Sequence, residues 1–145
     1  MGKTISREEL HRFAVEFVEN IKRQDHGATI VSLSGELGAG KTTFTQEVAK
    51  CFGIKDVVTS PTFVIEKIYK LEDQKFSHLI HIDAYRLDGG SELEKLGWDD
   101  LVRDDSNIIF VEWPENVSSI IPKNSIKISF EVKDENSRNI EVVYG

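Results

Sequence analysis

Eight residues in the first third of the chain have the types and spacing to hold a nucleotide's phosphates. Gly35-Glu36-Leu37-Gly38-Ala39-Gly40-Lys41-Thr42 fits G-x-x-x-x-G-K-[ST] at every fixed position. Glycine lets a backbone wrap close to phosphate and adopt positive φ. Successive N–H groups then point inward as an anion nest, and a helix beginning near Lys41 aims its dipole at the same point. Lys41 supplies a charge for the β- and γ-phosphates, and Thr42 offers a hydroxyl to Mg2+. The expected nucleotide contacts are Leu37, Gly38, Ala39, Gly40, Lys41 and Thr42, with Lys41 also serving catalysis. Thr43 adds a second hydroxyl, either a phosphate contact or an ordinary first-turn helix residue.

Phosphoryl chemistry also needs an acid near the metal, usually at the end of a neighbouring strand. Glu112 follows the apolar run Ile108-Ile109-Phe110-Val111 and is the first candidate. The usual residue is Asp, but a Glu reaches a metal directly or through water. Asp83 follows Leu79-Ile80-His81-Ile82, a less clean run. With Glu112 at the metal, Asp83 is free to orient a water or to bond the metal's water shell. Its structural alternative is an ion pair with Arg86. His81 reads as a partly buried histidine satisfied by a nearby partner. Tyr85 and Arg86 either support the site or serve packing and surface pairing. Thr62 lies in the polar loop 59–62 and is either a γ-phosphate or metal contact or a turn residue after Pro61.

Something must position these groups. Residues 28–34 are short, β-branched and apolar, a buried strand running into the phosphate loop. Residues 43–52 have helical spacing at Phe44, Val48, Ala49 and Phe52, and Gly53 is a natural stop. Ser6 with Glu9 has capping-box spacing ahead of an apolar stripe at Leu10, Phe13, Ala14, Phe17, Val18 and Ile21. Val57-Val58 reads as a short strand. Residues 63–71 and 76–82 read as a hairpin, as do 125–132 and 138–144. Asp88-Gly89-Gly90 marks a turn, and Ser91 with Glu94 repeats the capping-box spacing before a short helix. No repeat, linker or low-complexity tract interrupts the 145 residues, so one domain is expected.

Charge narrows the function. Lys and Arg number 18 against 25 Asp and Glu, a net of −7. The stretch 88–115 has nine acids and two bases, so it alone carries −7 and the remainder cancels. That argues against a self-sufficient nucleic-acid binder or a polybasic membrane-surface protein. The acids from Glu92 to Asp105 read as a solvated helical face, with partner docking as the alternative. No apolar run is long enough to span a bilayer. The beginning of the chain has no secretory or transit character, and the single Cys51 suits a reducing compartment, so a cytoplasmic location is expected.

The phosphate loop together with Ser60-Pro61-Thr62-Phe63, His81-Ile82-Asp83-Ala84-Tyr85-Arg86-Leu87 and Val111-Glu112-Trp113-Pro114, in that order, resembles the bacterial TsaE (YjeE) family of small ATPases. Glu92-Leu93-Glu94-Lys95-Leu96-Gly97 matches the family's acidic-leucine-glycine stretch. The resemblance covers roughly residues 6–132. It implies an α/β fold of the P-loop NTPase-like three-layer type. The sheet would be mixed and mainly parallel with antiparallel hairpins, and helices would cover both faces. It implies ATP and Mg2+ as ligands, with Thr42 and Glu112 on the metal, Asp83 in the hydrolysis site and Trp113 near the nucleotide. Strand-end packing is the alternative for Trp113. It implies work with the TsaD and TsaB proteins in making threonylcarbamoyladenosine beside the anticodon. The chain would hydrolyse ATP without transferring the group, and would meet tRNA only through the complex. The sequence departs from the family pattern at Glu36, where many members have Asp, and at Ala84, where a bulkier apolar residue is common. The family's opening segment borders the adenine, which corresponds here to residues 6–10.

Three other functions compete. A small-molecule kinase usually needs an Arg-bearing lid, and only Arg86 and Arg103 of the six arginines lie in the central part. A GTPase commonly has Asn-Lys-x-Asp, which is absent here. A module that holds ATP without hydrolysing it is the third.

Overall fold

The structure, a computed structural model, describes residues 2–36, 38–55 and 65–144. Its strands are β1 (Gly2–Ser6), β2 (Thr29–Ser34), β3 (Glu66–Lys70), β4 (His78–Asp83), β5 (Asn107–Glu112), β6 (Ile126–Val132) and β7 (Ser137–Val143). Its helices are α1 (Arg7–Asn20), α2 (Lys41–Cys51), α3 (Ser91–Lys95) and α4 (Trp98–Arg103), with a 3-10 turn at Pro114–Val117.

The strands form one sheet in the order β1-β7-β6-β2-β5-β4-β3. The central four, β6, β2, β5 and β4, are mutually parallel. β3 runs antiparallel on β4, and β7 antiparallel on β6. β1 is antiparallel to β7 and therefore runs with the central four, so five of the seven strands share one direction. This is the mixed, mainly parallel sheet with antiparallel hairpins that the resemblance implied.

Side-chain alternation along the central strands loads both faces. Val31, Leu33, Ile108, Phe110 and Ile128 join Leu10, Ala14 and Phe17 of α1 and Phe44, Val48 and Ala49 of α2 in one core. Ile30, Ile80, Ile82, Ile109 and Val111 join Leu93 of α3, Trp98 of α4 and Val117 in a second. Helices thus cover both faces, the three-layer arrangement.

Ser6 caps α1 as its spacing predicts: its hydroxyl accepts from the Glu9 N–H, and the Glu9 carboxylate accepts from the Ser6 N–H. The matching expectation at Ser91 fails. Gly90 is the N-cap of α3, Ser91 is already its first residue, and no side chain caps that helix. The Glu94 N–H bonds the Gly90 carbonyl at 3.0 Å. Gly90 sits so close to Ile120 that a Cβ there would collide with it, so a residue with a side chain would fit poorly at this cap. The sequence reading also placed no strand before Ser6, whereas β1 pairs with β7. The expected strand at Val57-Val58 lies outside the described residues.

Candidate nucleotide site

β2, β4 and β5 are parallel, so their C-terminal ends meet on one edge, the position where open α/β sheets bind ligands. The phosphate loop leaves β2, Asp83 ends β4 and Glu112 ends β5. The register sets Asp83 beside Glu112, and Glu112 beside Leu33. Around these ends lies a cavity of about 870 Å³. Gly38, Ala39, Gly40, Lys41, Thr42 and Thr43 line it, as do Asp83, Glu112 and Trp113. Leu37 and Thr62 lie outside the described residues.

The glycines of the loop have separate tasks. Gly35 packs against β6, and a Cβ on it would stand 2.6 Å from the Phe130 carbonyl oxygen. Gly40 caps α2 at φ 107°, left-handed backbone that disfavours any side chain. The first turn of α2 has no acidic residue. Its positive end faces the cavity.

Lys41 is 4% exposed. Its ammonium donates to the Gly35 carbonyl at 2.6 Å and lies 3.4 Å from the centroid of the Trp113 ring. Burial pulls its pKa below the ordinary lysine value, and the charges of Glu112, Glu115 and Asp83 partly oppose this. An anion brought here would meet a cation that is poorly hydrated and therefore strongly attracting.

Thr42 and Glu112 meet directly. The Thr42 hydroxyl lies 3.1 Å from each Glu112 carboxylate oxygen. Both are hard oxygen donors, and Mg2+ takes one or two protein oxygens of this kind together with phosphates and water. The residues present suit that ion. Glu112 also meets His81, whose Nε2 lies within hydrogen-bond distance of Oε2, at 2.6 Å. His81 is wholly buried, more so than the partly buried residue expected, and its partner is the metal-ligand candidate itself.

Asp83 and Trp113 are held by backbone as well as by side chains. The Asp83 Oδ1 accepts from the Tyr85 N–H at 3.0 Å, and the Asp83 N–H donates to the Ile65 carbonyl at 2.9 Å. Trp113 adopts φ 60°, ψ 51°, which turns the chain at the end of β5. Its indole meets the Tyr85 ring at 5.0 Å between centroids. Asn116 in the following 3-10 turn donates to the carbonyls of Ala84 and Tyr85 at 2.9 and 3.1 Å.

The sequence reading did not single out Asn116 or Arg138. Arg138, the second residue of β7, extends an Nη2 to within 3.3 Å of the Gly38 carbonyl. Neither lies in a motif, and only the sheet order brings Arg138 to the loop. The cavity is also bordered by Ile5, Ser6, Arg7 and Leu10. The acids Glu92, Glu94, Asp99 and Asp100 on α3 and α4 are exposed, while Leu93 and Trp98 turn inward. No described helix is long and apolar enough to cross a membrane.

Comparison with known proteins assigns the family. The model of threonylcarbamoyl adenosine biosynthesis protein TsaE matches residues 4–140. The tRNA threonylcarbamoyladenosine biosynthesis protein TsaE of Rickettsia prowazekii is 37% identical over 134 residues, covering 92% of this chain and 87% of that protein. The TsaE of Haemophilus influenzae is 35% identical over 133 residues, covering 91% and 81%. Among solved structures, Bacillus subtilus YdiB superposes with a TM-score of 0.72 at 26% identity, covering all of this chain and 88% of that one. With the family model spanning the phosphate loop and both strand-end acids, the chain belongs to the TsaE family of threonylcarbamoyl adenosine biosynthesis proteins.

Proposed function

We propose that this protein binds ATP in the cavity at the ends of β2, β4 and β5 and hydrolyses it to ADP and phosphate, with Mg2+ held by Thr42 and Glu112. The protein's place is in tRNA threonylcarbamoyladenosine biosynthesis. There it acts as the ATP-consuming accessory of TsaD and TsaB in the cytoplasm, meeting tRNA only through that complex. The observation that carries the ATPase reading is the convergence of the left-handed Gly40 cap, the buried Lys41 and the Thr42–Glu112 pair on one cavity.

In this reading the N–H groups of residues 38–43 cradle the phosphates, and Lys41 leaves the Gly35 carbonyl to meet their oxygens. A cation held by Thr42 and Glu112 would supply charge neutralisation for the phosphates. Asp83 orients a water toward the γ-phosphorus. The water oxygen bonds to phosphorus, the bond to the β–γ bridging oxygen breaks and ADP leaves with that oxygen; one water proton stays on the phosphate formed and the other passes to solvent. Trp113 and Tyr85 wall the site, and Thr62 serves as a γ-phosphate contact. Arg7, Arg86 and Arg138 border the cavity, and turnover is expected to be slow alone and faster with partners.

The test is ATP turnover measured alone and with TsaD, TsaB and tRNA. Stimulation by the complex is expected. Lys41→Ala should abolish ATP binding, and unchanged affinity would remove the phosphate-loop assignment. Asp83→Ala should bind ATP yet lose turnover; full turnover would take Asp83 off the list. Tighter binding of GTP than of ATP would overturn the ATPase reading itself.

A further inference from the structure

His81 has a bond whose strength and burial need a reason. It sits mid-sheet on β4 between Ile80 and Ile82, with no solvent exposure. Its Nδ1 is buried and, among the described residues, has no hydrogen-bond partner. Leaving a polar atom unsatisfied inside a core costs about 1–3 kcal/mol. An apolar residue of similar volume would avoid that cost at a position flanked by isoleucines. What histidine adds is the other nitrogen, 2.6 Å from Glu112 Oε2.

The geometry explains the value of that bond. Period-2 alternation puts His81 and Asp83 of β4 on the face of Phe110 and Glu112 of β5, with His81 opposite Phe110 and Asp83 opposite Glu112. Glu112 has one more torsion than an aspartate, so more rotamer freedom must be removed before its oxygens face Thr42. A carboxylate only accepts, so the proton between the two residues belongs to Nε2. A cation held by both Thr42 and Glu112 must displace the hydrogen bond between them. The bond from His81 does not involve Thr42 and can persist.

We propose that His81 is a positioning residue that holds the Glu112 carboxylate ready for the divalent cation through its Nε2–H. This rests on the reading of Thr42 and Glu112 as the cation site. Partners of this kind commonly alter metal affinity by about 10–100-fold when removed.

The test measures Mn2+ binding in the presence of ADP by electron paramagnetic resonance, for wild type, His81→Leu, His81→Gln and Glu112→Ala. ADP affinity in EDTA and thermal melting are measured beside it. In His81→Leu, Mn2+ affinity should fall about 10–100-fold while metal-free ADP affinity stays near wild type. His81→Gln, whose amide N–H reaches a similar position, should recover part of the loss. A folded His81→Leu with wild-type Mn2+ affinity, beside a weakened Glu112→Ala, would overturn the role of His81 alone. Unchanged affinity in Glu112→Ala would overturn the cation site and this inference with it. Should His81→Leu not fold, nitrogen-15 spectra of the wild-type imidazole decide: an Nε2-protonated ring supports the proposal, and an Nδ1-protonated ring overturns it.

Discussion

The ammonium of Lys41 lies 3.4 Å from the centre of the Trp113 ring, although the two residues are 72 positions apart in sequence (113 − 41). The contact is a cation–π interaction in a buried setting, of the order of 1–2 kcal/mol. Tyr85 packs on the same indole, so the lysine of the phosphate loop, the end of β5 and the turn after β4 meet at one aromatic group.

Trp113 should therefore report on the phosphates. Any phosphate that draws Lys41 off the indole changes its surroundings. Trp98, the other tryptophan, is 3% exposed and does not line the cavity, whereas Trp113 does. Titration with ADP or ATP should change the intrinsic fluorescence, and Trp113→Phe should remove the response. A full response in Trp113→Phe would mean that Lys41 and Trp113 do not part on binding.

Asn116 ties the two acid-bearing segments together through two hydrogen bonds to the turn after Asp83. Asn116→Ala should leave nucleotide affinity nearly unchanged and lower turnover roughly tenfold, because small displacements of catalytic groups are costly. Asn116→Asp should be worse, since a carboxylate would face two carbonyl oxygens. Steady-state kinetics with a separate binding measurement check this; equal turnover in all three proteins would show that the clamp is dispensable.

Lys75 caps the end of α1 from a distant turn. Its ammonium donates to the carbonyls of Val18, Glu19 and Ile21 at 2.8, 3.0 and 3.0 Å. The last turn of α1 has no basic residue of its own. Lys75→Met should destabilise the fold by about 1 kcal/mol, given the surface setting. Urea denaturation measures it, with ATP turnover expected to stay unchanged.

Asp104 gives a pH dependence remote from the site. Its Oδ1 accepts from the Ser106 hydroxyl at 2.6 Å and the Ser106 N–H at 2.9 Å. The hydroxyl bond first, and the backbone bond second, hold its carboxyl below the ordinary value of 3.8. The unfolded chain therefore binds the proton more readily between the two values. The stabilisation is complete above 3.8 and disappears as pH falls through the lowered folded value. The stability gap between wild type and Asp104→Asn should be widest near neutrality and close in acid. A gap that grew on acidification would contradict the assignment.

Much of the molecule is legible from local pattern. The phosphate loop, the β2 and β5 runs, the Ser6–Glu9 capping box and both hairpins depend on residues close together in the chain, where spacing and propensity act directly. Ser91–Glu94 has the same spacing as Ser6–Glu9, yet Gly90 is the cap of α3 and no side chain caps it. The Gly90 position is shaped by a contact 30 residues away (120 − 90), with Ile120, which local spacing does not reveal. β1 escaped notice for a related reason, since an edge strand exists only through the partner it pairs with.

The sequence by itself determined which chemistry is available: a glycine-rich anion nest, a lysine, a hydroxyl and two strand-end carboxylates. Those follow from residue type and short-range spacing. Only the tertiary structure decided which groups act on one another. The parallel register of β4 and β5 sets Asp83 beside Glu112 and brings His81 to the same carboxylate, and the start of α2 delivers Thr42 to it. The sheet order carries Arg138 to the loop, and Asn116 binds the turn after β4. Side-chain hydrogen bonds operate over about 3 Å, and residues far apart in the chain come that close only after the strands have paired.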